Sequence, residues 1–392
     1  MPLGVAPEVR SVKKRLVFAM LHPIARFRVL FLVASTVLLC IAGPASVQAQ
    51  PSANAKDDGS VLVRQAYEIS QKADKVPEYA QVITLCQKGL DAGLPGESLK
   101  YARELMSWAH NRRGQVALDA GEFKAALPDF EAAIKHDPTR WRAWHNRGYC
   151  RAAEGDYPHA MEDFDHTIEL NPKYNKAYFN RAELHFVLGK LDEAIQDYTK
   201  AIHIDPSDSE AYNLRGFAYY RATDFTKAKA DYNQALKIDP KNIAALVNRG
   251  DLYADFGQYD AAARDYQLAI NTDPESDRAY VSAAWMMATC TDQRFRNADL
   301  AMQAANKALE IMGTEEHPER FRYLEVLAAA QANAGNFDEA IKTQTKANEL
   351  APEEDRDRFA GRLKLYAAKQ PYRDTKPAEK TSDATQPGKR TE

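Results

Sequence analysis

Nine histidines are the first candidates for chemistry in this 392-residue chain. His159 and His166 stand seven positions apart, about two helical turns, too far for the i, i+4 pairing that a helical metal site needs. His136 and His203 fall near turns, where a solvated or carbonyl-bonded ring is the ordinary reading, and His145 is the one on a face expected to be open. Cys86, Cys150 and Cys290 are widely separated, with no CxxC and no histidine at metal spacing, and each reads as a small buried hydrophobe. The sequence has no Gly-rich phosphate loop, no nucleophile elbow and no HExxH. The expectation is therefore a chain with no catalytic residue, no metal site and no cofactor.

A second set of residues has a more regular chemistry. Arg113, Arg147, Arg181, Arg215 and Arg249 recur in phase, and each is followed sixteen residues later by Asp129, Asp163, Asp197, Asp231 or Asp265. In the later stretch 321–354 both are absent together, replaced by Leu327 and Thr343. Present and absent as a set, the two series predict a ladder of charge-assisted hydrogen bonds between facing helices. The competing reading is a basic stripe for an anionic ligand, with the guanidinium groups free.

The elements that must position these residues repeat every 34 positions. Asp137-Pro138, Asn171-Pro172, Asp205-Pro206, Asp239-Pro240 and Asp273-Pro274 mark the period. In register run Ala126, Ala160, Ala194, Ala228 and Ala262, each followed four residues later by Phe130, Phe164, Tyr198, Tyr232 or Tyr266. Gly114, Gly148, Ala182, Gly216 and Gly250 share the interval, as do Trp144, Tyr178, Tyr212 and Leu246. Each period predicts two antiparallel helices. In 141–174, Gly155 ends the first where a left-handed residue is cheap, and Tyr157, Ala160, Phe164 and Ile168 form the inner stripe of the second, which Pro172 stops. One hairpin cannot bury both faces, so neighbours must stack.

These positions resemble the tetratricopeptide repeat (TPR) pattern, of a bacterial exported type, over five consecutive repeats at 107–276. A further good repeat, 321–354, carries Leu324, Ala328, Gly335, Phe337, Ala340, Ala347 and Pro352. The resemblance implies an all-α fold, a right-handed superhelix (α-solenoid) of stacked helix hairpins. The expected order is a signal peptide at 1–49, a linker at 50–59, and a degenerate hairpin with a lead-in helix at 60–106. After the five repeats come an atypical helical repeat with an insertion at 277–320, the repeat at 321–354, a capping helix at 355–370 and a disordered tail at 371–392. That tail lacks large apolar residues apart from Tyr372.

The resemblance also implies that the first helices line a concave, peptide-binding groove. Helical spacing places on that face Arg142, His145 and Tyr149; Lys176, Phe179, Glu183 and Phe186; Asn213, Phe217, Tyr220 and Arg221; then Asp251, Asp255 and Trp285. Aromatics on a face that packing does not require, with charges at the rim, match how binding energy concentrates in interfaces. The expected function is a non-catalytic scaffold or adaptor for a protein or peptide partner. Two alternatives stay open: a self-assembling homo-oligomer, and a membrane-anchored accessory subunit of an envelope complex. A carboxylate clamp of Lys and Asn is disfavoured, because Asn146, Asn180 and Asn248 repeat too regularly for one ligand and are expected to bond between repeats.

Charge and termini narrow the class further. With 52 Lys+Arg against 55 Asp+Glu, the net charge of −3 argues against a partner bound by phosphate neutralisation. Arg26 and Arg28 precede an apolar run from Val29 to Ala42, a Gly43-Pro44 break and the small residues of Val47-Gln48-Ala49. That order reads as a secretory signal, with the translation start at Met1 or Met20 and Gln50 first in the mature chain. The expected location is periplasmic or secreted. Residues 29–42 are short of the roughly 20 needed to span a bilayer, yet an uncleaved anchor remains an alternative.

Overall fold

The structure is a computed structural model that describes residues 58–313 and 316–374. The signal segment and most of the linker, and the tail beyond Asp374, lie outside the described residues. The chain divides between Pro206 and Ser207 into two compact units, an N-terminal and a C-terminal body. Both are all-α stacks of helix hairpins. Among the described residues no helix is long and apolar enough to cross a membrane.

The N-terminal body contains α1 (Asp58–Ser70), α2 (Val76–Asp91), α3 (Gly96–Asp119), α4 (Phe123–His136), α5 (Trp141–Ala153), α6 (Tyr157–Leu170), α7 (Asn175–Val187) and α8 (Leu191–Ile204). The division expected at 106/107 falls inside α3. The lead-in helix and the first helix of the first repeat are one element, because no Gly or Pro interrupts the run from Ser98 to Arg113. Gly155 sits at the end of the α5 turn with φ +81°, the left-handed geometry expected of a helix stop. Ala126, Phe130, Ala160, Phe164, Ala194 and Tyr198 are buried between paired helices.

The C-terminal body contains α9 (Ser209–Arg221), α10 (Phe225–Ile238), α11 (Ile243–Asp255), α12 (Tyr259–Thr272) and α13 (Asp277–Thr289), then a short 3-10 turn (Gln293–Phe295). It continues with α14 (Ala298–Met312), α15 (Arg320–Asn333), α16 (Phe337–Leu350) and α17 (Glu353–Ala367). The small-residue column does what close packing requires: a Cβ on Gly250 would stand 2.5 Å from Cε1 of Tyr266. At the helix-stop column, where Gly155, Gly189 and Gly257 have positive φ, the C-terminal body places Thr223 at φ +62°. A β-branched residue is strained there.

Residues 371–374 correct one expectation. The tail does not leave the fold at Pro371; Tyr372 packs on Trp285 of α13, and Arg373 and Asp374 are hydrogen-bonded to α13 and α15. The apolar content of the segment is low, as the sequence reading held, but polar groups and one ring secure it instead.

Candidate functional site

Within each body the first helices of successive hairpins lie side by side and line one face, with the second helices behind them. Two kinds of polar link hold this face in shape. The first runs within hairpins. Arg113 donates from Nε and Nη2 to Asp129 at 2.8 and 2.7 Å, and Arg147 does the same to Asp163 at 3.0 and 2.7 Å. Arg181 pairs with Asp197 at 2.7 Å through both nitrogens. In the C-terminal body Arg215 pairs with Asp231 at 2.7 and 2.8 Å, and Arg249 with Asp265 at 2.8 and 2.7 Å. All five pairs are bidentate, the geometry in which guanidinium and carboxylate match best. Aromatic residues of the same helices lie against several of these guanidinium groups, with Trp144 4.9 Å from Arg147 and Tyr212 5.5 Å from Arg215.

Burial and hydrogen bonding compete at these carboxylates. At Asp129 burial alone would raise the pKa, but hydrogen bonds from His110 and Arg113 outweigh it and hold the carboxyl below its ordinary value. Asp163 is almost fully buried and receives a second arginine, Arg151, at 2.9 Å.

The second kind of link runs between hairpins, joining residues 35 or 31 positions apart. Asn146 donates to Asn111 at 3.2 Å and to Gln115 at 3.0 Å; Asn180 meets His145 Nε2 at 3.0 Å; Asn248 donates to Asn213 at 2.8 Å.

Two expected groove residues are corrected by this network. His145 is 8 % exposed and Asn213 is 2 % exposed, so neither is available to a ligand. Each occupies the seam where one hairpin meets the next, and the ring nitrogens of His145 and the Oδ1 of Asn213 are taken up there. His145 also sits edge-on to Tyr174 at 4.9 Å. Its Nε2 accepts from Asn180 while Nδ1–H faces Asn146 Oδ1 at 3.3 Å, an arrangement that suits the neutral ring. Burial drives its pKa down to about 4.

The remaining positions are partly or fully exposed. In the N-terminal body, Arg142 and Lys176 are exposed, and Tyr149, Phe179, Glu183 and Phe186 are half-buried. Phe179 meets Tyr198 edge-on at 5.7 Å, and Tyr149 meets Phe123 at 6.2 Å, so each ring has one supported edge. In the C-terminal body, Arg221 is exposed, and Phe217 lies parallel to Tyr220 at 6.4 Å. The acidic positions are engaged: Tyr220 donates its hydroxyl to Asp255, Tyr266 donates to Asp251 at 2.8 Å, and Arg278 approaches Asp251 at 3.8 Å. Trp285 is covered in part by Tyr372, 5.7 Å between ring centroids.

Other groups fall outside any site chemistry. Cys86, Cys150 and Cys290 are buried free thiols, and burial pushes the first two up to about 12. Among the described residues no group of three His, Cys, Asp or Glu is placed to hold a metal ion. Sequence reasoning missed Gln344, which is fully buried with neither its Nε2 nor its Oε1 bonded. The signal was present, because Gln344 stands in the column of Phe130, Phe164, Tyr198, Tyr232 and Tyr266.

This geometry agrees with the comparisons to known proteins. Models described as tetratricopeptide repeat match residues 111–175, 209–242, 231–264 and 321–354, and one described as TPR repeat matches 185–222. The chain thus carries multiple tetratricopeptide repeats, a fold that supports a general scaffold role for proteins or peptides. No curated protein matches it. Among solved structures, a tetratricopeptide repeat protein from Parabacteroides merdae is 19% identical, with a TM-score of 0.52, covering 67% of this chain and 98% of that one. PilF of Pseudomonas aeruginosa is 17% identical at a TM-score of 0.47, covering 56% and 97%. MamA of Desulfovibrio magneticus is 20% identical at 0.40, covering 44% and 97%. The first supports the fold; the other two are resemblances only.

Proposed function

We propose that this chain is an interaction scaffold whose two bodies each hold an extended or helical protein segment against the face lined by their own first helices. Phe179 and Phe186 are the anchors in the N-terminal body, and Phe217 and Tyr220 in the C-terminal body. Exposed Arg142, Lys176 and Arg221 supply a basic rim. One observation carries the reading: these aromatic rings are only half-buried although the hairpins around them already pack through a separate set of buried aromatics. Large rings left at such a face gain from a partner that completes their burial.

A crosslinking pull-down of the tagged protein from its native cells tests this. Phe179→Ala and Phe217→Ala, singly and together, are expected to lose partners that the unaltered chain retains, with helix content unchanged by circular dichroism. Identical partner lists from all four proteins would remove the reading. The export proposal rests on residues 1–49 and is tested in the same sample: a mature N-terminus at Gln50 supports it, and one upstream of Val29 places the chain on a membrane instead.

A further inference from the structure

The chain's own segment Tyr372-Arg373-Asp374 is held by contacts that address each side chain separately. Tyr372 covers Trp285, and the Arg362 guanidinium lies against both, 4.8 Å from the Trp285 ring and 4.5 Å from the Tyr372 ring. Arg362 of α17 is itself buried and lies beside Glu325 of α15. Arg373 donates from Nη1 to the Ala288 carbonyl at 3.0 Å and from Nη2 to Asn333 Oδ1 at 2.9 Å. The first acceptor belongs to the last turn of α13, where the helix dipole favours a cation. Asp374 accepts from Trp285 Nε1 at 3.0 Å, and its backbone N–H donates to the Thr289 carbonyl at 2.9 Å.

The approach is also built. After α17 the chain turns at Lys369, φ +55°, a left-handed conformation that a lysine adopts at some cost. Lys369 and Gln370 donate back to the Tyr366 and Leu365 carbonyls at 2.9 and 2.8 Å, and the turn aims the next residues across α13. A tail that only shielded apolar surface would need none of these directed polar contacts. An aromatic–cation stack, a guanidinium at helix-end carbonyls and a carboxylate at an indole N–H together read an order of residue types.

We propose that the surface formed by Trp285, Arg362, Asn333 and the carbonyl end of α13 is a recognition site for an extended peptide reading aromatic–arginine–acid, that Tyr372-Arg373-Asp374 fills it in cis, and that a partner protein's segment of this chemistry enters by displacing it. The inference rests on the scaffold reading and names a second, more specific site. A partner is a better occupant than another copy of this chain. A second copy's tail brings the same contacts without the tether, which raises the local concentration of the cis segment to the order of millimolar. A partner can add contacts beyond the three residues.

The test measures binding of a capped, fluorescently labelled peptide of residues 369–374 by anisotropy. The full chain carrying Tyr372→Ala, Arg373→Ala and Asp374→Ala is expected to bind it about 10-fold more tightly than the unaltered chain, given a millimolar cis competitor and an intrinsic Kd near ~100 µM. Adding Trp285→Ala to the opened chain abolishes binding, as does replacing the peptide's Arg by Ala. Equal or absent binding to an opened chain of unchanged helix content overturns the proposal. Should the triple variant lose its helix content, Asp374→Ala, which removes the indole contact alone, decides the question by the same criterion. A dimer of the unaltered chain that the triple variant abolishes would overturn the choice of a partner protein over a second copy. None of these variants touches Phe179 or Phe217, so failure here leaves the scaffold reading standing, and failure there leaves this one.

Discussion

Hairpins α11–α12 and α15–α16 lie in one body and share a pattern of small residues, yet they are held together differently. The first has Arg249 locked to Asp265 and Tyr266 filling its interior. The second has Leu327, Thr343 and the unbonded Gln344 at those three positions. What compensates is the neighbouring helix: α17 contributes Phe359 and Tyr366, both fully buried, to clusters with α15 and α16. The hairpin α11–α12 therefore carries its own fastening, whereas α15–α16 borrows its aromatics from the helix that follows.

Substitutions can break or sharpen this contrast, and the largest effect is expected inside the ladder. Asp163→Ala leaves Arg147 and Arg151 facing a buried gap, and such orphaned charges cost about 3–5 kcal/mol. Thr343→Ala at the equivalent position of α16 is expected to stay within ~0.5 kcal/mol. Urea unfolding of the two variants compares them directly, and equal losses would erase the distinction.

Acid should act next, and on the N-terminal body. His145 has a folded pKa of about 4 against an ordinary value of 6.5, so the unfolded chain takes up a proton that the folded one refuses. Stability is then full above pH 6.5 and falls as pH drops from 6.5 toward 4, by about 3 kcal/mol at most. Burial shifts His136 and His185 the same way. His145→Gln is expected to flatten most of the dependence in urea midpoints taken between pH 7.5 and 4.5; an unchanged slope would assign it elsewhere.

A smaller effect with the opposite sign is expected at Gln344. Gln344→Leu removes two unbonded polar atoms from a buried site and should stabilise by about 1–2 kcal/mol, read as slower amide exchange in α16. The smallest concerns the turn after α9. Thr223→Gly relieves a positive φ and should gain about 1 kcal/mol in the melting of the C-terminal body, where the same change at an ordinary loop threonine would lose stability.

The helix periods and the aromatic and small-residue columns were legible from sequence because each is a constraint repeated at fixed spacing. The face assignments were less so. His145 and Asn213 have the right helical phase for the open face, yet the next hairpin's Asn reaches across 35 positions and encloses them. Helical phase records direction from an axis and contains nothing about how near the adjacent axis lies. Tyr372 stood out as the one large apolar residue in a polar tail, but its target, Trp285, is 87 residues earlier and no periodicity connects the two. Gln344 and Thr223 were visible as breaks in their columns once the repeats are laid in register; their meaning depends on burial and φ, which composition does not contain.

The sixteen-residue spacing of the arginine–aspartate pairs has a consequence for how such a chain changes over generations. Donor and acceptor lie inside one 34-residue period, so a duplication or deletion of a whole period adds or removes a neutral pair. No lone buried charge is created by such a change. Array length can thus drift by whole modules with little selective penalty, while a base change that replaces either member of a pair is punished. The ladder makes gene-level copying of repeats a tolerated route of variation and point change at its rungs an intolerable one.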